Sequence, residues 1–320
     1  MTTSVAWQRS YLTDLMSLVS QNARARMPGA TYMMNSDVAW RLPGSDPKNN
    51  LRLWFDGEGI AAYAWFEANF PNTMDLRTDL AWDHPIVSDL LAWLESRRSS
   101  MGPFEPWLIS LTTMSEWEAA LENNLPQRTG RKKFLQISAL DKDSERIDFL
   151  ETNGFQRTEH FHYSMSRSLD VPIPEVSLPD DISLHHVLAR DFPERVATHR
   201  DAWFKSSFNM KNYLDIRSIE VFEPTLDIVA DHNGTFASYC IGWLDHELRV
   251  GSFEPVGTRP AYRRLGLGRE VNYEGLRRMK TMGMHSAIIG TAGFNDRAFG
   301  LYQSCGFNLV DRQRTYLKEI

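Results

Sequence analysis

The 320-residue sequence predicts a mixed α/β (α+β) fold built twice. Three observations carry this. Short runs rich in β-branched and aromatic residues alternate with segments of helical period along the whole chain. A proline-rich stretch, VPIPEVSLPD at 171–180, divides the chain into near-equal parts and reads as an extended linker. Turn residues also recur at fixed offsets: Gly59 and Pro85 precede Gly234 and Pro260 by 175 residues, and Asn153-Gly154-Phe155 precedes Cys305-Gly306-Phe307 by 152. The expected organisation is one domain over 1–170, a linker over 171–180 and a second domain over 181–320. About 23 extra residues fall between the anchors of the first half, assigned to 103–130.

Composition bounds the function. The chain is 42% apolar and 24% charged, as globular chains are, with a net charge of −6. That balance argues against a general nucleic-acid partner and favours neutral or cationic small substrates. Two cysteines far apart in sequence suggest a reducing compartment, with no disulfide framework and no zinc site. No apolar run approaches 18 residues and the N-terminus lacks a secretory core, so the expectation is a cytoplasmic chain with no membrane partner.

In order, residues 5–20 have helical period, with Trp7, Tyr11, Leu15 and Leu18 on one face, and 27–50 read as helix-poor and turn-rich. Strands are expected at Leu51 to Phe55 and Ile60 to Phe66 around Asp56-Gly57-Glu58-Gly59, and at Asp75 to Leu80. A helix follows over Val87 to Arg97, then a strand in PWLISL and a helix in SEWEAALENN. FLQISAL is a strand, Asp143 to Thr152 a helix, and Glu159 to Met165 a closing strand. The second half opens with a strand (ISLHHVL), a helix over about 193–207 and two strands around Asp231-His232-Asn233-Gly234. Asp245 and His246 read as solvated turn residues. A central strand over Leu248 to Glu254 is ended or bulged by Pro255, which cannot donate to a ladder.

After that strand come Arg263, Arg264, Leu265, Gly266, Leu267 and Gly268, then a helix beginning GREVNYEG and capped by Gly283. A strand feeding a helix through Arg-x-x-Gly-x-Gly makes an anion site. The first N–H groups of a helix lack intrahelical partners, the macrodipole adds positive charge, and glycines let a phosphate approach. Arg263, Arg264 and Arg269 add cationic donors. A dinucleotide fingerprint would need glycine at Val271, and no Gly-Lys-Ser/Thr of a P-loop is present. The strand SAIIG (286–290) leads to a second cluster, Asn295, Ala298, Tyr302, Gly306 and Phe307, in which Asn295 can cap a helix.

Arg-x-x-Gly-x-Gly followed by Asn-x-x-Ala-x-x-x-Tyr-x-x-x-Gly-Phe resembles motifs A and B of the GNAT acyl-CoA-dependent N-acetyltransferases. The resemblance covers Leu248 to Phe307 and, with the two halves, the tandem two-domain type of that family. It implies two folds, each a mixed, mostly antiparallel sheet flanked by helices. It also implies acetyl-CoA as co-substrate with no metal, a small-molecule amine as acceptor, and a monomer or homodimer. The motifs are not repeated. Where the second half has Arg263, Gly266 and Gly268, the first has Ser88, Leu91 and Trp93; where it has Asn295, Ala298 and Tyr302, the first has Asp143, Arg146 and Leu150. The first half is therefore expected to keep the fold without the cofactor site and to shape a wall of the acceptor cleft.

Amine acetylation sets definite demands. An amine of pKa ~10.4 gives up its proton at pH 7 at a cost of about 4.6 kcal/mol, so a base or a water chain to one is needed. The attack develops an oxyanion that needs fixed donors. The resemblance places these at Val256, with Thr258 beside it on the pantetheine arm, and assigns Tyr302 as the acid that protonates the leaving thiolate. Tyr302 also fits a core position on an amphipathic helix, and Asn295 is either a cofactor contact or a helix cap. Glu254 is the candidate base, or else a salt-bridged carboxylate at a strand end; many family members carry glutamate two residues earlier, at the position of Ser252 here. His199, Asp201 and Trp203 on the first helix of the second half could reach the cleft. His160 and His162, and His185 and His186, lack a carboxylate or cysteine at metal-ligand spacing. The alternatives to a small-molecule acetyltransferase are a protein-lysine acetyltransferase with the same machinery and a non-catalytic acyl-CoA-binding regulator.

Overall fold

The computed structural model describes residues 2–27, 30–104, 106–123 and 132–320. Among these the first half runs β1 (Thr3–Ala6), α1 (Leu12–Arg26), α2 (Asn35–Arg41), α3 (Pro47–Asn50), β2 (Leu51–Asp56), β3 (Gly59–Trp65), β4 (Thr73–Leu76), α4 (Pro85–Ser99), α5 (Met114–Glu122), β5 (Phe134–Leu140), α6 (Ser144–Thr152) and β6 (Gln156–Ser168). The second runs β7 (Ile182–His186), α7 (Phe192–Ala202), α8 (Met210–Arg217), β8 (Phe222–His232), β9 (Thr235–Asp245), β10 (Val250–Thr258), α9 (Leu267–Thr281), β11 (Ser286–Ala292), α10 (Asp296–Ser304) and β12 (Asn308–Glu319). The mixed α/β class is as the sequence predicts.

The repeat is sharpest in the last three elements of each half. β11, α10 and β12 each begin 152 residues after β5, α6 and β6. The caps repeat as well: Asp143 accepts from the Arg146 N–H at 3.2 Å, and Asn295 from the Ala298 N–H at 3.1 Å.

Two sheets result, one ordered β1-β2-β3-β4 and one ordered β5-β12-β6-β11-β10-β9-β8-β7. The last strand of each half is thus inserted into the other. β12 lies antiparallel between β5 and β6, and β6 lies antiparallel between β12 and β11. Side chains follow the exchange. Met165 on β6 is buried in the core of the second half with Leu276 and Phe307, while Tyr316 on β12 is buried in that of the first with Leu150 and Phe155. A third core joins Leu15 and Val19 of α1 to Ile241 and Trp243 of β9. The segment 171–180 has no regular structure and crosses α9, where the Ser177 N–H donates to Glu270 Oε2 at 3.0 Å.

Several local expectations are corrected. Residues 5–20 are not one helix: Thr3–Ala6 pairs with β2 as an edge strand, and the helix starts only at Leu12. The turn-rich stretch 27–50 contains α2, stabilised at its start by Asp37 Oδ2 accepting from the Met34 N–H at 2.6 Å. PWLISL is not a strand, since Trp107–Ser110 forms a 3-10 turn. The helix in SEWEAALENN is present as α5; the last residue of that expectation, 124, lies outside the described residues. The helix expected over 193–207 stops at Ala202, and α8 follows as a separate element. Asp245 is buried rather than solvated: it accepts from the Ser20 hydroxyl at 2.6 Å, the Asn35 side chain at 3.2 Å and the Leu248 N–H at 2.9 Å.

Candidate active site

The site begins where two strands part. β10 pairs with β11 only over Val250 to Ser252, then continues beside β9 to Thr258 while β11 continues beside β6 to Ala292. The register of β10 against β9 slips between Phe253 and Val256, at Pro255, as the proline predicts. From Phe253 onward this edge of β10 has no strand partner on its β11 side, which leaves backbone available to a ligand.

At the far end of β10 the chain turns into α9. Gly266 is the residue before the helix, at φ +78° in the left-handed region that favours glycine, and no side chain caps this end. A Cβ added at Gly268 would meet Leu301 Cδ2 at 3.2 Å and Thr258 Oγ1 at 3.3 Å, so the helix start is packed to the limit of a glycine. Arg263, Arg264, Leu265 and Arg269 are exposed around it, and Leu267 is buried beneath. Bare helical N–H groups ringed by guanidiniums fit a pyrophosphate. The first half has no such loop: α4 starts directly at Pro85, so Ser88, Leu91 and Trp93 lie inside the helix. Leu91 is buried and Trp93 packs edge-on to Trp54 at 6.0 Å.

Between the parted strands and the first half lies a cavity of about 670 Å³. Tyr302, Glu254, Val256 and Asn295 line it, whereas Thr258 and residues 263–269 lie outside the lining. Ser252 lines it too. The first half supplies Tyr32, Asp37, Trp40, Arg41, Glu67, Trp117, His160 and His162.

Glu254 is half-buried in the wall and is not a salt-bridged strand-end residue among the described residues. Burial above all, then the Asp37 carboxylate, pushes its acid up to about 7, while the Arg41 guanidinium opposes this. Its backbone carbonyl accepts from Trp243 Nε1 at 2.7 Å, which fixes the strand at that point. Tyr302 is nearly buried, and burial followed by the neighbouring Glu254 charge raises its hydroxyl well above the ordinary range, so it stays protonated. His162 is pushed down to about 4 by burial and then by Arg41; His160 is pushed down to about 3 by burial and then by His162. Both rings are therefore neutral at pH 7, and the His160 ring bonds Thr315 Oγ1 at 3.0 Å.

Asn295 caps α10 and lines the cavity as well. Trp203 reaches the cavity, and its Nε1 donates to the Tyr239 hydroxyl at 2.8 Å; that hydroxyl also bonds His199 Nδ1 at 2.7 Å. His199 and Asp201 do not line it, and Asp201 pairs with Arg259 at 2.9 Å. Sequence reasoning missed Asp37, Trp40, Arg41 and Glu67. A capping pattern of aspartate three residues after the entry to α2 was the signal that could have found them.

Residues 184–307 match the model of the Acetyltransferase (GNAT) family. No curated protein matches the chain. Among solved structures it is similar to a GCN5-related N-acetyltransferase from Sphaerobacter thermophilus, with a TM-score of 0.62 at 16% identity, covering 99% of this chain and 95% of that one. It is similar also to a tandem GNAT protein from the clavulanic acid biosynthesis pathway, with 0.62 at 12%, covering 100% and 98%. An acetyltransferase of the GNAT family from Colwellia psychrerythraea aligns with 0.58 at 11%, covering 100% and 99%. At these identities the likeness is one of fold, and it spans both halves. The family match covers residues 184–307 of the second half, where the parted strands and the glycine-bounded helix start lie, and the likeness of fold to a tandem GNAT protein spans both halves.

Proposed function

We propose that the protein transfers an acetyl group from acetyl-CoA to the primary amine of a small molecule by direct attack. The observation that carries this is that β10, whose cavity end holds a carboxyl poised near 7 near a protonated tyrosine, leads through a glycine into the uncapped start of α9. Acetyl-CoA supplies an activated thioester carbonyl. Residues 263–269 hold its pyrophosphate, and Thr258 and Val256 line the arm toward the cavity. Glu254, ionised above about pH 7, takes a proton from the acceptor ammonium. The freed nitrogen lone pair forms the C–N bond at the carbonyl carbon, and the backbone edge at Val256 donates to the developing oxyanion. The C–S bond breaks, and Tyr302 gives its proton to the departing thiolate. The nitrogen, still carrying one proton too many after the attack, gives it through solvent to the Tyr302 phenolate, which leaves the neutral amide, and Glu254 releases to solvent the proton it took.

Enclosure favours a small acceptor over a polypeptide, because the first half closes one side of the cavity. The domain split at the 171–180 linker is kept as a functional division: the second half carries the chemistry and the first the acceptor wall. Thiol release from acetyl-CoA across an amine panel tests the reading. Turnover lost in Tyr302→Phe and cofactor binding lost in Gly268→Trp support it, and unchanged behaviour in both variants removes it.

A further inference from the structure

The charges and rings of the cavity restrict what it would acetylate. Among the described residues three carboxylates, Asp37, Glu67 and Glu254, line it with one guanidinium, that of Arg41. Arg41 is committed: its Nη1 lies 3.2 Å from Glu67 Oε2 and 3.1 Å from Thr73 Oγ1. Among the described residues neither Asp37 nor Glu254 has a cation in ion-pair contact, and the Asp37 carboxyl is itself raised, by burial foremost. The two lining histidines are neutral at pH 7. Among the described residues the cavity therefore lacks positive charge to spare and gains from a cation entering it. A carboxylate or phosphate beside the reacting amine would be buried against like charge with no free donor cation among those residues. Part of the remaining wall is aromatic, among uncharged polar residues such as Ser138 and Thr291: Trp40 stacks on Phe208 at 5.7 Å, and Trp203 is held by its bond to Tyr239. Such faces bind apolar bodies and cations.

We infer that the acceptor is a primary amine on an aromatic or branched apolar body that bears neither carboxylate nor phosphate. Its ammonium lies between Asp37 and Glu254, and its body lies against Trp40 and Trp203. This rests on the acetyl-transfer reading above and narrows it.

The test compares matched pairs on the full chain: phenethylamine against phenylalanine, and tyramine against tyrosine, with glucosamine 6-phosphate as a phosphorylated amine. The decarboxylated member of each pair is expected to have the higher kcat/KM by about 100-fold, because like charges juxtaposed in a buried site cost several kcal/mol. In Glu67→Gln, which frees Arg41 to meet an anion, the ratio is expected to narrow about 10-fold. Equal or better use of phenylalanine, tyrosine or the sugar phosphate overturns this inference and leaves acetyl transfer standing. No thiol release with any amine overturns both.

Discussion

Glu254, the proposed base, ties the proposed chemistry to the stability of the fold. A carboxyl held near 7 is a base matched to neutral pH, and its elevation has a named origin in burial and in Asp37 on α2. The free-enzyme profile, kcat/KM against pH, is expected to rise through about pH 7. Asp37→Asn removes a neighbouring negative charge and moves that limb to lower pH; Arg41→Gln removes a positive one and moves it higher. The same shift has a thermodynamic sign. The folded-state value lies above the ordinary one near 4.5, so folding favours the protonated carboxyl and stability falls as pH rises from about 4.5 to 7. Glu254→Gln should therefore raise the melting temperature above pH 7.5, by at most ~3 kcal/mol of stability, and change it little below pH 4. A stability difference between variant and wild type that is the same at both pH values would contradict the assignment. Tyr302→Phe keeps the ring and removes the proton donor; kcat is expected to drop roughly 100-fold with acetyl-CoA affinity kept, as titration calorimetry would show.

At the scale of elements, α9 is bound to its sheet by glycines. Met279 occupies the space where a Cβ of Gly251 would stand, and Phe253 that of Gly275. Gly275→Val should thus destabilise by about 1–3 kcal/mol through overpacking, read from a denaturant midpoint. The start of α9 is the ligand end, and Gly268→Trp fills it; acetyl-CoA binding should be lost while the far-ultraviolet spectrum is retained. These elements were legible in the sequence because their geometry demands particular residues at fixed spacing: glycine before α9, asparagine at the cap of α10, proline at the strand bulge. α2 was not. It is seven residues long and stands between turn-forming segments, too short for helical period to show. With it went Asp37 and Arg41, whose part depends on α2 packing against β10 near Glu254, a non-local relation. PWLISL failed for a related reason: a short apolar run after a proline has no period to separate a strand from a turn.

For the whole molecule, the exchange of β6 and β12 means that the eight-stranded sheet is built from strands of both halves. The repeat at 152 residues announced two copies of one unit, but which strand pairs with which is set by packing of Met165 and Tyr316 into the opposite cores, and local sequence does not encode it. A fragment of residues 181–320 leaves β11 and β12 without the strand between them. It is expected to aggregate or self-associate alone and to regain a single cooperative transition when mixed with residues 1–170. A monomeric, cooperatively folding 181–320 fragment would contradict the shared sheet. In the proposed reading the acceptor wall lies on the half that lacks the glycine-bounded loop. Acceptor choice can then vary through α2 and its neighbours while the acetyl-transfer machinery on β10, α9 and α10 is kept.

The most direct test of the account is free-thiol release from acetyl-CoA by the full chain across a panel of primary amines, with Tyr302→Phe and Gly268→Trp assayed beside it. The account predicts amine-dependent thiol release matched by N-acetylated product, sharply reduced in the first variant and absent in the second. Stoichiometric acetyl-CoA binding without release on any amine, or release unchanged in both variants, would contradict it.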